Sequence, residues 1–257
     1  RWRCHAWCAH QQNAEGQQFC GWVRVGHRPA ENTLSVTVSE SLLPVLPEVL
    51  ARIKNLFDLY CEPKAVYETL QVMNTLQPGL CVLGTRLPGC FNVFEMSVRA
   101  VLGQQITVKA ASTLAARLVA VYGTQVQTGI EGLTHSFPAP AAILALGENI
   151  SEHLGKLGII SARANTIYQL ARVLADEKND FGFCGNPEEE MQKLQAIRGI
   201  GSWTAQYIAM RAMGWPDAFL PTDAGIKKAL PDHTPKELQV LSEAWRPWRS
   251  YATVNLW

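Results

Sequence analysis

The residues of this chain best suited to chemistry lie close together in its last third. In Leu194-Gln195-Ala196-Ile197-Arg198-Gly199-Ile200-Gly201-Ser202-Trp203-Thr204-Ala205-Gln206-Tyr207, one amphipathic helix ends at Ile197, a Gly-Ile-Gly hairpin follows, and a second helix begins at once. Glycines at 199 and 201 permit positive φ and close approach by another backbone, and Ile200 between them can tuck its side chain between the two helices. The second helix opens with exposed N–H groups and a positive dipole end, which suit one phosphate. Such a hairpin grips a nucleic-acid backbone without reading its bases. Twenty-two positions after Gly201 lies Asp223, in Phe219-Leu220-Pro221-Thr222-Asp223-Ala224-Gly225-Ile226-Lys227-Lys228. An aspartate that opens a short helix is a natural N-cap. Held at the mouth of a cleft facing the phosphate chain, it could instead stabilise the positive charge that builds on a sugar as its N-glycosidic bond breaks. At about 4 Å and an effective dielectric near 20, that attraction amounts to about 4 kcal/mol, roughly a thousandfold in rate. The same carboxylate could orient the attacking water, and neither role needs a metal. A plain αα-turn is the competing account of the hairpin. The apolar residue between the glycines and the strong helices on both sides favour DNA binding.

The elements that must position these groups follow from periodicity. Arg1–Ala9 and Phe19–Val25 carry aromatic and β-branched residues on either side of the polar run Gln11–Gln18, and Thr33–Val38 alternates with period two. Together they predict a small antiparallel sheet. From Glu40 onward the pattern is helical, beginning with Val45–Cys61, whose apolar residues at 46, 49, 50, 53, 56, 57 and 60 form one face. Gln77-Pro78-Gly79 and Leu87-Pro88-Gly89-Cys90 are breakers that set a boundary. Beyond them come helices over Val93–Gly103, Thr107–Tyr122, Pro140–Leu146, Ser151–Leu157, Ser161–Glu177, Pro187–Ile197, Ser202–Met213, Ala224–Leu230 and Pro235–Trp257. The predicted fold is mainly α with a small α+β N-terminal domain. Residues 1–78 hold the sheet and its helices, and 79–257 form the helical remainder, with the hairpin at about 188–213.

Composition narrows the function classes. Of 257 residues 47% are hydrophobic, enough for a sizeable core, and Lys+Arg 23 against Asp+Glu 22 leaves no bulk positive charge. A grip on nucleic acid must therefore rest on local basic residues, backbone N–H groups and helix ends. Arg99, Lys109, Arg163, Arg198, Lys227 and Lys228 are the basic candidates, and a solvated face explains each equally well. The longest apolar stretch, Leu42–Leu50, is broken by Pro44, Pro47 and Glu48, well short of the roughly 18 apolar residues a spanning helix needs. No signal peptide opens the chain, so a cytoplasmic protein is expected. The seven cysteines (4, 8, 20, 61, 81, 90 and 184) lack CxxC spacing. They favour reduced thiols over a disulfide frame, a zinc site or an iron–sulfur centre. The six histidines show no metal-ligand spacing either.

Several stretches in the expected order, namely Leu56-Phe57-Asp58-Leu59, Leu87-Pro88-Gly89-Cys90, Val98-Arg99-Ala100-Val101-Leu102-Gly103-Gln104, Phe219-Leu220-Pro221 and Trp245-Arg246-Pro247-Trp248-Arg249-Ser250-Tyr251-Ala252, join the hairpin and Asp223 in a pattern. It closely resembles the helix–hairpin–helix DNA glycosylase superfamily, in its alkylation-repair branch. The resemblance implies a monofunctional glycosylase that flips an alkylated purine such as 3-methyladenine out of double-stranded DNA and hydrolyses its bond to the sugar, in base excision repair. It implies that Asp223 is catalytic and that Gly199, Gly201 and Thr204 meet DNA phosphates. Trp203, Tyr207 and Trp257 would line the base pocket, where an aromatic face gains about 0.5–2 kcal/mol from a cationic base. The spacing of Trp203 and Tyr207 alone, four apart on one helical face, favours ordinary core. The resemblance also implies no catalytic cofactor, a structural monovalent cation such as sodium on the carbonyls of Gln195, Ile197 and Gly199, a monomer, damaged duplex DNA as partner, and no membrane.

Departures from that pattern are equally specific. The wedge that fills the gap behind a flipped base is leucine in the best-known relative, and here it is Gln105, which can still fill the hole and hydrogen-bond to the orphaned base. A family tyrosine after the catalytic aspartate is Ala224 here, and the first strand of the family's N-terminal sheet is not found. Bifunctional relatives carry a nucleophilic lysine on the helix after the hairpin; Trp203 stands there, and Lys193 precedes the hairpin. Two alternatives stand beside the hydrolase: an oxidised-purine glycosylase–lyase of the same superfamily, and a non-catalytic helix–hairpin–helix DNA-binding module. The lesion range and the presence of a methyltransferase-like domain ahead of Arg1 stay open.

Overall fold

The computed structural model describes residues 5–12, 17–175 and 186–257. Strands β1 (His5–Gln12), β2 (Gln18–Arg28) and β3 (Thr33–Val38) form an antiparallel sheet in the order β1-β2-β3. The first pair is in register at Cys8↔Trp22 and the second at Val23↔Val38. Val23 and Val25, two apart, are buried with Leu42 and Val45 of the 3₁₀ turn that follows the sheet, as period-two alternation requires. Residues 1–4 of the expected first strand lie outside the described residues.

Helices follow in the order α1 (Leu46–Leu56), α2 (Pro63–Leu70), α3 (Val93–Leu102), α4 (Val108–Tyr122), α5 (Pro140–Leu144) and α6 (Ile150–Gly155). Then come α7 (Ser161–Leu174), α8 (Pro187–Gln195), α9 (Ser202–Arg211), α10 (Ala224–Ala229), α11 (Pro235–Leu241) and α12 (Arg249–Leu256). The mainly helical fold with a small N-terminal sheet is thus as read from the sequence. Among the described residues no helix is long and apolar enough to cross a membrane.

The chain divides into two compact units, each made of two stretches: Arg1–Ile53 with Ile106–Ala175, and Lys54–Gln105 with Asp176–Trp257. The first contains the sheet and α4–α7, with α5 and α6 packed on α7 and Leu118, Ile143, Leu154, Ile167 and Leu170 fully buried. The second contains α2, α3 and α8–α12. Its core joins Val66, Leu70 and Met73 to Met210, Phe219, Leu220, Ile226, Trp245 and Leu256. Burying each such aliphatic side chain stabilises by about 1.5–3 kcal/mol, and Phe219 meets Trp245 edge to face at 5.7 Å. Within this unit α3 and α8 pack on α9, and α10 packs on α12.

Two expected helices are broken, each for a local reason. The run Val45–Cys61 stops at Leu56 because Asp58 takes a left-handed conformation, φ 52°. There its Oδ2 accepts from the Leu87 backbone N–H at 2.8 Å and from the Tyr251 hydroxyl at 2.9 Å. A new helix, α2, starts at Pro63, where the missing N–H costs nothing. The run Pro235–Trp257 opens with a capping box between Thr234 and Glu237 and breaks before α12. Pro247 lacks an N–H and holds Arg246 extended, ψ 144°.

Candidate active site

The hairpin is built by local chemistry. Asn186 caps α8 by accepting from the Glu188 N–H at 3.0 Å, and Glu188, Glu189 and Glu190 answer the positive end of its dipole. After α8 the chain turns with Ile200 N–H donating to the Ile197 carbonyl at 3.0 Å, and Gly199 sits at φ 97°. Ile200 is buried, as expected. Gly201 does not use positive φ. It is the extended N-cap of α9 (φ −85°, ψ 176°), and a Cβ there would meet no atom within 4 Å, so its bareness leaves an open approach to the helix end. The first bond back into α9 is Ala205 N–H to Gly201 O at 3.0 Å. The N–H groups of Ser202, Trp203 and Thr204 therefore have no acceptor within the helix.

Thr204, expected at a phosphate position, stands in the first turn of α9 with its side chain turned inward. It is buried, and its Oγ1 accepts from Gln104 Nε2 at 2.9 Å, while the same amide donates to the Gly199 carbonyl at 2.9 Å. Its backbone N–H, in the first turn of α9, has no acceptor within the helix and is open to an anion. Gln105, the next residue after this bridge, is exposed and left-handed, φ 55°.

Asp223 both caps a helix and faces the aromatic group. Its Oδ1 accepts from the Gly225 N–H at 2.8 Å, the Ile226 N–H at 3.3 Å and the Trp257 indole Nε1–H at 2.8 Å. Its Oδ2 accepts from the Trp203 indole Nε1–H at 3.1 Å. Hydrogen bonds to a carboxylate are about twice as strong as neutral ones, so the indoles fix the rotamer of a carboxylate that stays half-buried. The segment leading to it is anchored by buried Phe219 and Leu220 and by Gln206 of α9, whose Oε1 accepts from the Phe219 N–H at 3.2 Å.

Trp203 and Tyr207 stack at 5.2 Å with their rings 8° apart, and Trp257 leans on Tyr207 at 6.3 Å and 42°. The first two are half-buried and Trp257 is 48% exposed. The rings of Trp203 and Tyr207 pack against the core of the second unit, as their spacing alone favours, and their outer side forms an aromatic wall beside the carboxylate. One turn on, Arg211 lies 5.7 Å from the Tyr207 ring centre, donates to its hydroxyl at 3.3 Å and to the Pro88 carbonyl at 2.6 Å. Lys193 is exposed and paired with Glu190 at 2.6 Å; Lys227 and Lys228 are exposed on α10; Arg99 pairs with Glu95 at 2.7 Å.

Sequence reasoning missed three participants. Gln104 bridges α3 to the hairpin, Arg211 buttresses Tyr207, and Gly225 makes room for Trp257: a Cβ at Gly225 would sit 2.5 Å from Trp257 Cδ1. A glycine inside a short helix two residues after a candidate aspartate is the signal that marked the last of these. Gln195 ends α8, and Ile197 and Gly199 follow it in the hairpin. The carbonyls of Ile197 and Gly199 each accept one hydrogen bond and keep a second lone pair.

Comparisons with known proteins place the chain in a family. The model of the AlkA N-terminal domain matches residues 8–92, and that of the HhH-GPD superfamily base excision DNA repair proteins matches residues 98–249. The chain is 38% identical over 228 residues to DNA-3-methyladenine glycosylase 2 of Escherichia coli (strain K12), covering 89% of this chain and 77% of that one. Among solved structures, a 3-methyladenine DNA-glycosylase from Archaeoglobus fulgidus superposes with TM-score 0.74 at 20% identity, over 98% of this chain and 85% of the other. The 8-oxoguanine glycosylase/lyase of Clostridium acetobutylicum bound to double-stranded DNA superposes with TM-score 0.70 at 17% identity, over 96% and 85%. At those identities the two structures speak for the fold alone. By its matching domain models, its relatives and its hairpin, the chain belongs to the HhH-GPD superfamily of base excision DNA repair proteins.

Proposed function

We propose that this protein is a monofunctional DNA glycosylase that flips alkylated purines of the 3-methyladenine type out of double-stranded DNA and hydrolyses their N-glycosidic bonds. The observation that carries the reading is the half-buried Asp223 carboxylate, held by two indole N–H groups of an aromatic wall. The backbone N–H groups at the start of α9 clamp one phosphate. Gln105, exposed on its left-handed turn, enters the stack behind the extruded nucleotide, whose unstacking costs a few kcal/mol. A cationic alkylated base lies against Trp203, Tyr207 and Trp257, and its sugar lies beside Asp223. The glycosidic bond breaks heterolytically, with its electron pair leaving on the base. Asp223 stabilises the oxocarbenium-like sugar and orients the water that adds to it. The product is an abasic site. The relative's printed name, DNA-3-methyladenine glycosylase 2, supports the lesion class.

Hydrolysis is favoured over a lyase because Trp203 occupies the place where bifunctional relatives carry a lysine, and Lys193 is ion-paired with Glu190 on the exposed face of α8. The carbonyls of Gln195, Ile197 and Gly199 suit a monovalent cation such as sodium. They are neutral oxygen donors at the negative end of a helix dipole, and the cation would add positive charge beside the phosphate clamp. No catalytic cofactor enters the scheme, and the protein acts as a monomer.

The test is release of methylated bases from alkylated duplex DNA by wild type and Asp223→Asn. Asparagine keeps an oxygen for the helix cap and removes the charge, so a loss of roughly a thousandfold is expected with folding intact. Equal activity would remove Asp223 from the mechanism. Borohydride is expected to trap no enzyme–DNA adduct, and a trapped adduct would establish the lyase instead.

A further inference from the structure

We propose that Asp217, gripped by Arg249 and Arg246, is a positioning residue for the excision reaction. It fixes where the Trp257 indole meets Asp223. The inference rests on the reading of Asp223 as the catalytic carboxylate.

Asp217 lies six positions before Asp223 and is buried, an unusual place for a charge. Arg249, itself buried in the first turn of α12, holds it with both arms: Nε donates to Oδ1 at 2.7 Å and Nη2 to Oδ2 at 2.8 Å. Arg246 Nη1 adds a third bond, to Oδ2 at 2.5 Å. The neighbouring Ser250 reinforces the same joint, its N–H donating to the Pro216 carbonyl at 2.8 Å and its hydroxyl to the Trp215 carbonyl at 2.7 Å. The base of α12 is therefore welded to the segment that leads into Asp223.

From that weld two rigid arms run to one meeting point. One is the buried stretch Ala218–Leu220, which leads to Asp223. The other is α12, eight residues and about 12 Å long, which leads to Trp257. The arms close where Trp257 Nε1–H meets Asp223 Oδ1 at 2.8 Å. A planar, bidentate guanidinium–carboxylate pair defines direction as well as distance. Loosening it lets α12 pivot, and a small rotation at Arg249 becomes a displacement at Trp257. Misplacement of a reacting or orienting group by about 1 Å costs up to a hundredfold in rate.

The experiment uses the whole protein and compares wild type, Asp217→Asn and Arg246→Ala at a temperature where melting curves show each to be folded. Arg246 is 49% exposed, so its alanine variant keeps the test open if the buried Asp217 variant does not fold. Two readouts are taken. One is the Trp257 indole N–H resonance in a ¹H–¹⁵N spectrum, identified by its loss in Trp257→Phe. The other is the single-turnover rate of base release, set beside affinity for an abasic-analogue duplex. The expected result is a shifted Trp257 resonance and a rate lowered on the order of tenfold, with affinity within twofold of wild type. A purely stabilising ion pair would lower the melting temperature and move neither readout, so an unmoved resonance or an unchanged rate in the folded variants overturns the proposal. The resonance does not depend on what Asp223 does chemically. An active Asp223→Asn enzyme, beside a shifted Trp257 signal in Asp217→Asn or Arg246→Ala, would therefore sink the catalytic reading while leaving the weld intact.

Discussion

Replacing Gly225 with alanine separates stability from activity, because the added methyl group collides with only one thing that can move. Its Cβ would lie 2.5 Å from Trp257 Cδ1, and 3.1 Å from both Trp257 Nε1 and Asp223 Oδ1. Carbon atoms in contact prefer about 3.5–4.0 Å, so the indole must retreat by about 1 Å or more. Trp257 is half-exposed at the end of α12 and can do so without disturbing the core. Inside α10 the change is favourable, since alanine exceeds glycine in helix propensity by up to about 1 kcal/mol. The Trp257–Asp223 bond, 2.8 Å in the native protein, stretches past hydrogen-bonding range. A bond to a charged group contributes about 1.5–3 kcal/mol, so the rate falls by roughly ten- to a hundredfold if the reaction uses it. Single-turnover release of base from methylated duplex, paired with a thermal melt, reads both effects. Gly225→Ala should melt within a few degrees of wild type, because the helix gain and water at the half-exposed indole offset part of the lost bond, and release base more slowly. Full activity in a protein that melts normally would show that the indole bond plays no part in positioning Asp223, and a large drop in melting temperature would show that Trp257 cannot yield.

Gly89→Ala should do the opposite: its Cβ would meet the backbone oxygen of Asn55 at 2.7 Å, which cannot step aside, so about 1–3 kcal/mol of stability is lost and the melting temperature drops by several degrees. Asp223→Ala removes the acceptor for the Gly225 and Ile226 N–H groups and should cost about 1 kcal/mol in a denaturant titration, a loss that Asp223→Asn largely avoids. Glu237, through the Thr234 N–H, and Glu243, through Arg246, are both held below the ordinary glutamate value of 4.5. A carboxyl depressed in the folded state contributes stability above its unfolded value and loses it as pH falls through the folded one. Melting temperature should therefore hold from neutrality to about pH 5 and fall below 4.5, less steeply in Glu237→Gln.

Local chemistry was legible in the sequence, and tertiary chemistry was not. The hairpin could be read because Gly199, Ile200 and Gly201 are adjacent, and Asp223 because a capping residue announces its own helix. The break at Asp58 was hidden: its left-handed turn is held by Leu87 and Tyr251, groups far along the chain. The end of the helical run at Arg246-Pro247 was written plainly in Pro247, and the apolar periodicity on both sides masked it. Trp203 and Tyr207 gave a spacing that core and pocket share. The structure gives them core contact, and the indole N–H bond to Asp223 is what spacing could not show. The inward bond of Thr204 is to Gln104, a hundred residues earlier, which local pattern could not show.

The discontinuity of the second compact unit bears on how the protein comes into being. Val66, Leu70, Met73 and Leu87 leave the ribosome well before Met191, Met210, Trp245 and Leu256, the side chains that share a cluster with them. The first unit has all of its sequence once Ala175 is made. The oily faces of α2 and its neighbours must wait, wetted and open to strangers, until α8–α12 have been made. Distant pairings of this kind slow folding and lengthen the window for aggregation, so Asp223 finds its place only after α8–α12 have joined the early stretch of their unit.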